Sequence, residues 1–225
     1  METARETCWT LVERSAGGDP AARNLFATTY LPVVRAYLAA RWGAGPLRGD
    51  IDDAVQEAFV ECFRERGALE RADRADGRPF RAYLHAVALN VARRIEERRG
   101  RDQARRAGDV PPDLPAADAR ASRAYERRWA ETLVRRAAER LEAAARTRGP
   151  EAARRVELLR LRFGDGLPIR EIARRWAVDP SHLHHEFARA REEFKEALVA
   201  EVAWHQPGTE GQAEEECRAL LGLLG

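Results

Sequence analysis

Gly166-Leu167-Pro168-Ile169-Arg170-Glu171-Ile172-Ala173-Arg174-Arg175-Trp176-Ala177-Val178-Asp179-Pro180-Ser181 is the stretch whose periodicity decides the fold. Ile169, Ile172, Ala173 and Trp176 keep one face of a 3.6-residue period, and beyond the turn Leu183, Phe187, Ala190 and Phe194 keep another. Asp179 stands where it can cap the second helix, and Pro180 suits a first turn, where a missing N–H costs nothing. Two short helices, one tight turn and two inward stripes predict a helix-turn-helix, the unit that lays its second helix in a DNA groove.

A chain of 225 residues can bury one sizeable core or two small ones. Charged residues make up 34% of it, above the usual quarter, yet the net charge is only +2, so no overall basic excess draws it to nucleic acid. The charge is segregated instead. Asp50, Asp52, Asp53, Glu57, Glu61 and Glu65 cluster in one stretch, and Arg81, Arg93, Arg94, Arg98, Arg99 and Arg101 in another, diluted by Glu96 and Glu97. That asymmetry predicts two partner surfaces within one domain. Lys195 is the only lysine; a coding bias toward arginine explains this more simply than a built phosphate groove, because arginine is spread through every helix. Cys8, Cys62 and Cys217 are odd in number and widely spaced, which argues against a disulfide framework or a cysteine zinc site and fits a reducing compartment. With no apolar run of membrane-spanning length and no signal-peptide core, the expected location is the cytoplasm, with no membrane partner.

Helical periodicity is nearly continuous and strand signals are nearly absent, so the expected fold class is all-α, in two helical domains joined by a flexible linker. A short helix from Cys8 to Ser15 precedes a longer one opened by Asp19-Pro20, with Leu25, Phe26, Tyr30, Val33, Val34, Tyr37 and Leu38 inward. A third begins at Asp50, with Ile51, Ala54, Val55, Phe59 and Phe63 inward, and a fourth buries Phe80, Leu84, Val87, Val91 and Ile95. These form a first domain over residues 1–100. Residues 101–121, with Pro111, Pro112 and Pro115, lose all period and read as the linker. Helicity resumes near Ser122, restarts at Pro150 with Val156, Leu159 and Phe163 inward, and completes a second domain over 122–203. An acidic tail, 204–225, closes with one weak helix near Leu220 and is otherwise expected to be a disordered end.

Asp52, Asp53, Gln56, Glu57 and Glu61 lie opposite the apolar stripe of the third helix: a solvated face, or an acidic surface for a basic partner. The polar side of the fourth carries Arg81, His85, Asn90, Arg93, Arg94, Arg98 and Arg99, with Tyr83 at the rim. Arginines hold phosphates, while an aromatic and an amide can stack on and hydrogen-bond an unstacked base. His182, His184 and His185 open the last helix, where only 182 and 185 share a face, so the expectation is groove contacts rather than metal. No Ser-His-Asp set, glycine-rich phosphate loop or paired-carboxylate site emerges; the expectation is no enzyme, no metal and no cofactor.

Two motifs in order give the chain its resemblance to bacterial RNA polymerase sigma factors of the extracytoplasmic-function (ECF) class. Asp52-Asp53-Ala54-Val55-Gln56-Glu57-Ala58-Phe59 is similar to the family's acid-acid-Leu-Val-Gln-Glu-x-Phe. Pro79-Phe80-Arg81-Ala82-Tyr83-Leu84, then Ala88-Leu89-Asn90 and the run from Arg93 to Arg101, resemble its Pro-Phe-Arg-x-Trp-Leu and Ala-Arg-Asn. Leu161-Arg162-Phe163, Gly166-Leu167 and Glu171-Ile172-Ala173 resemble the entry to its second DNA-binding region. The likeness covers roughly residues 20–198. It implies that Asp52, Asp53, Gln56 and Glu57 dock on the clamp helices of the polymerase's largest subunit. It further implies that Arg81, Tyr83, Asn90, Arg93, Arg94, Arg98 and Arg99 hold the opened minus-ten strand. Ser181, His182, His184, His185 and Arg189 would then meet the minus-thirty-five element in the major groove. Promoter DNA and polymerase core are the implied partners, with room for an anti-sigma factor.

This chain departs from the pattern in its reading helix. From Pro168 to Glu196 six basic residues face six acidic ones, which removes much of the nonspecific phosphate attraction. Two alternatives stay open: a helix-turn-helix repressor or activator that never touches polymerase, and a sigma-like adaptor with degenerate promoter recognition. The repressor predicts a dimer on a palindromic site and has no need of the acidic Val-Gln-Glu helix.

Overall fold

The computed structural model describes residues 7–72, 79–107, 115–206 and 210–224, and among them every regular element is helical. The helices are α1 (Cys8–Ala16), α2 (Pro20–Trp42), α3 (Ile51–Phe63), α4 (Phe80–Ala107), α5 (Pro115–Arg148), α6 (Pro150–Leu159), α7 (Ile169–Trp176), α8 (Pro180–His205) and α9 (Glu210–Gly222). The chain divides into two compact units.

The first unit comprises the chain through Thr132, joined by Trp204–Pro207 and Arg218–Gly225. Asp19 starts α2 by accepting hydrogen bonds at one carboxylate oxygen from the Ala21 and Ala22 N–H groups, at 2.9 and 3.2 Å. Arg14 grips the other oxygen at 2.6 Å, and these hydrogen bonds, Arg14's first, hold the Asp19 carboxyl below its ordinary value. From α2, Phe26, Tyr30, Val33, Val34, Tyr37 and Leu38 are fully buried; Leu25, expected inward, sits at the edge of that stripe and is exposed. Phe26 meets Phe59, Phe63 and Phe80 edge-on, while Trp9 meets Phe80 at 5.8 Å. Edge-to-face pairs of this kind add about 1 kcal/mol each to what area burial supplies.

The rest of this core comes from segments that the sequence pattern left outside it. Tyr30 stacks on Trp129 of α5 at 5.5 Å, and His205 meets Trp129 edge-on at 5.2 Å. Cys8 donates its thiol hydrogen to the His205 carbonyl at 3.0 Å. Ala121, Tyr125 and Trp129 are buried with them. Both ends of the stretch expected as linker, 101–121, are helical: α4 continues to Ala107 and α5 starts at Pro115, while 108–114 fall outside the described residues. Pro115 can open a helix because its missing N–H lies in the first turn, so proline here marks an element's start instead of its absence. Nor does the expected tail behave as a plain end. His205 is buried, and α9 runs for 13 residues with Ala213, Cys217 and Leu220 buried.

The second unit takes Leu133–Ala203 and Gly208–Cys217. Gly149 (φ +99°) turns the chain into α6, a left-handed conformation that glycine adopts without strain. Leu158, Leu161, Ile169, Ile172, Ala173 and Leu183 form the core, flanked by Leu167, Trp176, Val178 and Phe187. Val156 and Leu159 are only half-buried, and Phe163, expected inward, is 68% exposed. The inward stripe of α6 is Ala152, Arg155 and Leu158, continued by Leu161 in a π-helical turn, Arg160–Gly164. A charged residue holds one core position, so a search for apolar spacing selects the neighbouring register. Elsewhere in the unit the buried Glu201 takes Arg136 at 2.5 Å and Arg140 at 2.6 Å, and Lys195 pairs with Glu214 of α9 at 3.0 Å.

Candidate nucleic-acid interface

Helix α3 turns Ile51, Ala54, Val55, Ala58 and Cys62 inward. Its outward face is centred on Val60, with Asp53 and Gln56 exposed beside it and Glu57 half-buried. Val60 is 63% exposed, and Gln56, Phe59, Val60, Phe63 and Arg64 line a shallow apolar groove. Sequence reasoning gave the polar members of this face and missed Val60. The signal was available: Val60 falls diametrically opposite Ile51 on a helical wheel. The other three acids of α3 are engaged, Glu61 by Arg64 and Arg71, both at 2.9 Å. Asp52 pairs with Arg35 of α2, and Glu57 receives Arg94 at 2.8 Å and Arg98 at 3.5 Å from α4.

The α4 residues assigned to one DNA surface are distributed over several faces. Arg94, Arg98 and Arg99 turn toward α3, Arg99 reaching Asp50 at 3.0 Å. Arg81 and His85 turn toward α5: Arg81 meets Glu126 at 3.4 Å, its carbonyl accepts the Tyr125 hydroxyl at 2.9 Å, and the His85 ring lies 3.4 Å from the Ser122 hydroxyl. Burial pushes His85 below its ordinary pKa, which disfavours the imidazolium a phosphate would want. The Tyr83 hydroxyl donates to the Ala68 carbonyl, and burial raises its pKa. Ala82, Ala86, Asn90, Arg93 and Glu97 form one exposed stripe, and Arg94, Arg98 and Arg99 are exposed too while paired toward α3. Arg93 lies 3.9 Å from Asp118 of α5.

Glu96, which the sequence places as a diluent of the basic run, has a different task. It takes two hydrogen bonds from Arg41, at 2.6 and 2.8 Å, and one from the Trp42 indole at 2.6 Å. Arg41 is buried, 2% exposed at its side chain, and also engages Asp118 and the Tyr37 hydroxyl. Burial alone would raise the Glu96 carboxyl, but the Arg41 and Trp42 hydrogen bonds outweigh it and hold the group below its ordinary value.

In the helix-turn-helix, Ala177 closes α7 in the left-handed region (φ +52°, ψ 45°), its N–H bonded to the Arg174 carbonyl at 3.2 Å. Such a conformation costs a β-carbon-bearing residue about 1 kcal/mol. The Asp179 carboxylate accepts the His182 N–H at 2.8 Å, the cap expected from the sequence. Leu183 and Ala190 point inward; Ser181, His182, His184, His185, Ala188 and Arg189 are exposed. Glu186 and Glu193 are held by Arg155 of α6. Arg154 lies over the Trp176 ring at 4.7 Å, fixing α6 against α7. Among the described residues no group of three or more His, Cys, Asp or Glu side chains is arranged to hold a metal ion, and no helix is long and apolar enough to cross a membrane. All three cysteines are buried free thiols, Cys62 with a pKa pushed up to about 12 by burial.

An acidic helix packed on an arginine-rich one, with a helix-turn-helix in a second unit, sets the chain in the class of all-α proteins built for DNA. It belongs to the ECF sigma factor family, whose model matches residues 6–200. It is 36% identical over 91 residues to the ECF RNA polymerase sigma-E factor of Escherichia coli (strain K12), and 35% identical over 91 residues to that of Salmonella typhimurium (strain LT2). Each match covers 40% of this chain, and the chain spans 43% of the length of these relatives.

Proposed function

We propose that the chain is a cytoplasmic sigma factor: it docks on RNA polymerase core and directs promoter recognition and DNA opening, with no catalytic chemistry of its own. The observation that carries this is the outward face of α3, where exposed Asp53, Gln56 and Val60 make an acidic surface with an apolar centre. A helix-turn-helix repressor has no use for such a face, whereas the basic clamp helices of the polymerase's largest subunit fit it by charge. Asn90 and Arg93 lie on an exposed stripe of α4 that an opened strand can reach, an amide for a base edge and a guanidinium for phosphate. Unstacking a base costs a few kcal/mol, the same order as the roughly 1–3 kcal/mol of a stacking contact, so base capture can tip local opening without ATP. The exposed start of α8 meets the upstream duplex in its major groove. An anti-sigma factor that holds the chain off polymerase would compete for these surfaces.

Run-off transcription with bacterial core polymerase and a fragmented library of the source genome tests the reading. Discrete new 5′ ends sharing upstream motifs are expected. Core binding without starts would turn the assignment to the adaptor, and neither would turn it to the repressor. Val60→Arg, alone or with Gln56→Ala and Glu57→Ala, should weaken core binding at least tenfold, about 1.4 kcal/mol. Helix content should stay unchanged, since the Val60 side chain contributes little to the core. Affinity equal to that of the wild type would place the docking surface elsewhere.

A further inference from the structure

Glu186, Glu192, Glu193 and Glu196 give α8 more acid than a phosphate-facing helix tolerates. The structure disposes of two of them through Arg155. Its side chain is 7% exposed, between Ala152 and Leu158 on the buried stripe of α6. Nε donates to both Glu193 carboxylate oxygens, at 3.1 and 3.0 Å, Nη2 lies 2.9 Å from one of them, and Nη1 reaches Glu186 at 3.4 Å. The guanidinium is always charged, and breaking even a satisfied buried pair is far costlier than replacing it by apolar residues. Packing alone would be served by a leucine at 155. The position therefore uses the charge. Both glutamates are drawn toward α6, while Ser181, His185 and Arg189 are exposed, Arg189 keeping only a 3.7 Å approach to Glu193.

We propose that Arg155 is a positioning residue that holds Glu186 and Glu193 toward α6 and offsets one of their two charges, leaving the DNA-facing side of α8 to Ser181, His185 and Arg189. This rests on the reading of the second unit as a duplex-DNA binder. It also resolves the balance of charge along the sequence, because two of the six acids no longer face the phosphates.

The test uses the full-length chain and a short fluorescein-labelled duplex of mixed sequence, with anisotropy followed across a salt series. Arg155→Gln frees two carboxylates to oppose phosphates and should weaken binding about tenfold at low salt, with a shallower salt dependence. Glu186→Gln/Glu193→Gln with Arg155 intact should bind at least as tightly as the wild type, since Arg155 already offsets one of the two charges and the substitutions remove the rest. The triple variant should recover to within about threefold of the wild type, a rescue that a purely structural arginine would not show. A triple variant as weak as Arg155→Gln at equal helicity by circular dichroism would overturn the proposal, as would wild-type binding by Arg155→Gln. If Arg155→Gln proves unfolded, the triple variant, in which no charge is stranded, decides: binding within about threefold of the wild type supports the proposal, and weaker binding means the glutamates themselves touch DNA and overturns it. Absence of binding by the wild-type chain would sink the duplex reading, and the proposal with it.

Discussion

Glu96→Ala should destabilise the first unit by about 3–5 kcal/mol, because it strands a buried guanidinium. Arg41 is 2% exposed, and Glu96 meets it with two hydrogen bonds while also taking the Trp42 indole N–H. Asp118 remains to neutralise part of the charge, which puts the outcome nearer the lower figure. At roughly 3 °C per kcal/mol, thermal unfolding should fall by about 10 °C. A change within a degree or two would show that Asp118 alone suffices. The same group gives a pH signature. Its folded-state pKa lies below the ordinary value, so its contribution is complete above the unfolded glutamate pKa of about 4.3 and is lost as pH falls through the folded value. The wild type should therefore lose stability through that acid window faster than Glu96→Gln does, and parallel pH profiles would remove Glu96 from the account.

His205→Ala should have the second large effect, about 3 kcal/mol, comparable to removing other buried rings. The imidazole meets the rings of Tyr30, Trp129 and Trp204 edge-on, at 6.0, 5.2 and 4.7 Å. Alanine would leave a void lined by aromatic edges that cannot collapse onto it. Denaturant unfolding followed by tryptophan fluorescence reads this, since two of the three neighbours are among the chain's five tryptophans. His205→Phe should recover part of the loss, because most of what the ring supplies is shape. An unchanged midpoint for His205→Ala would mean that the segment after Ala203 adds nothing to the first unit.

Helix positions were legible wherever an apolar stripe kept its period, as in Phe26-Tyr30-Val33-Tyr37 and Ile169-Ile172-Ala173, and so were the caps at Asp19 and Asp179, which need only one side chain at one place. Two kinds of information were not local. The first is the partner of a charge. Glu96 reads as a defect in a basic run and is the counter-ion of Arg41, 55 residues away; Glu186 reads as one more acid on the reading helix and belongs to Arg155. The second is burial by sparse residues. Tyr125 and Trp129 stand among arginines and glutamates on α5, and His205 stands in an acidic tail, so window averages show polar chain where single rings complete a core. The candidate site inherits the same limit. Types and order of its residues can be read from the motif, while the division of α4 into an α3-facing, an exposed and an α5-facing set depends on which neighbours the fold brings to each side.

The pairing of Lys195 with Glu214 also has a consequence for chemical labelling. Every other side-chain cation fixed at neutral pH is arginine, so an amine-reactive dye can enter at one side chain, and the only competitor is the chain's terminal amine. That single lysine lies on α8 against α9, its ammonium 3.0 Å from a carboxylate. An acylating reagent removes the charge and frees Glu214 in the same event. The rate of acylation at Lys195, followed by mass spectrometry, is therefore a built-in gauge of how tightly Glu214 holds its ammonium, readable in the unmodified sequence without introducing a cysteine or a tag.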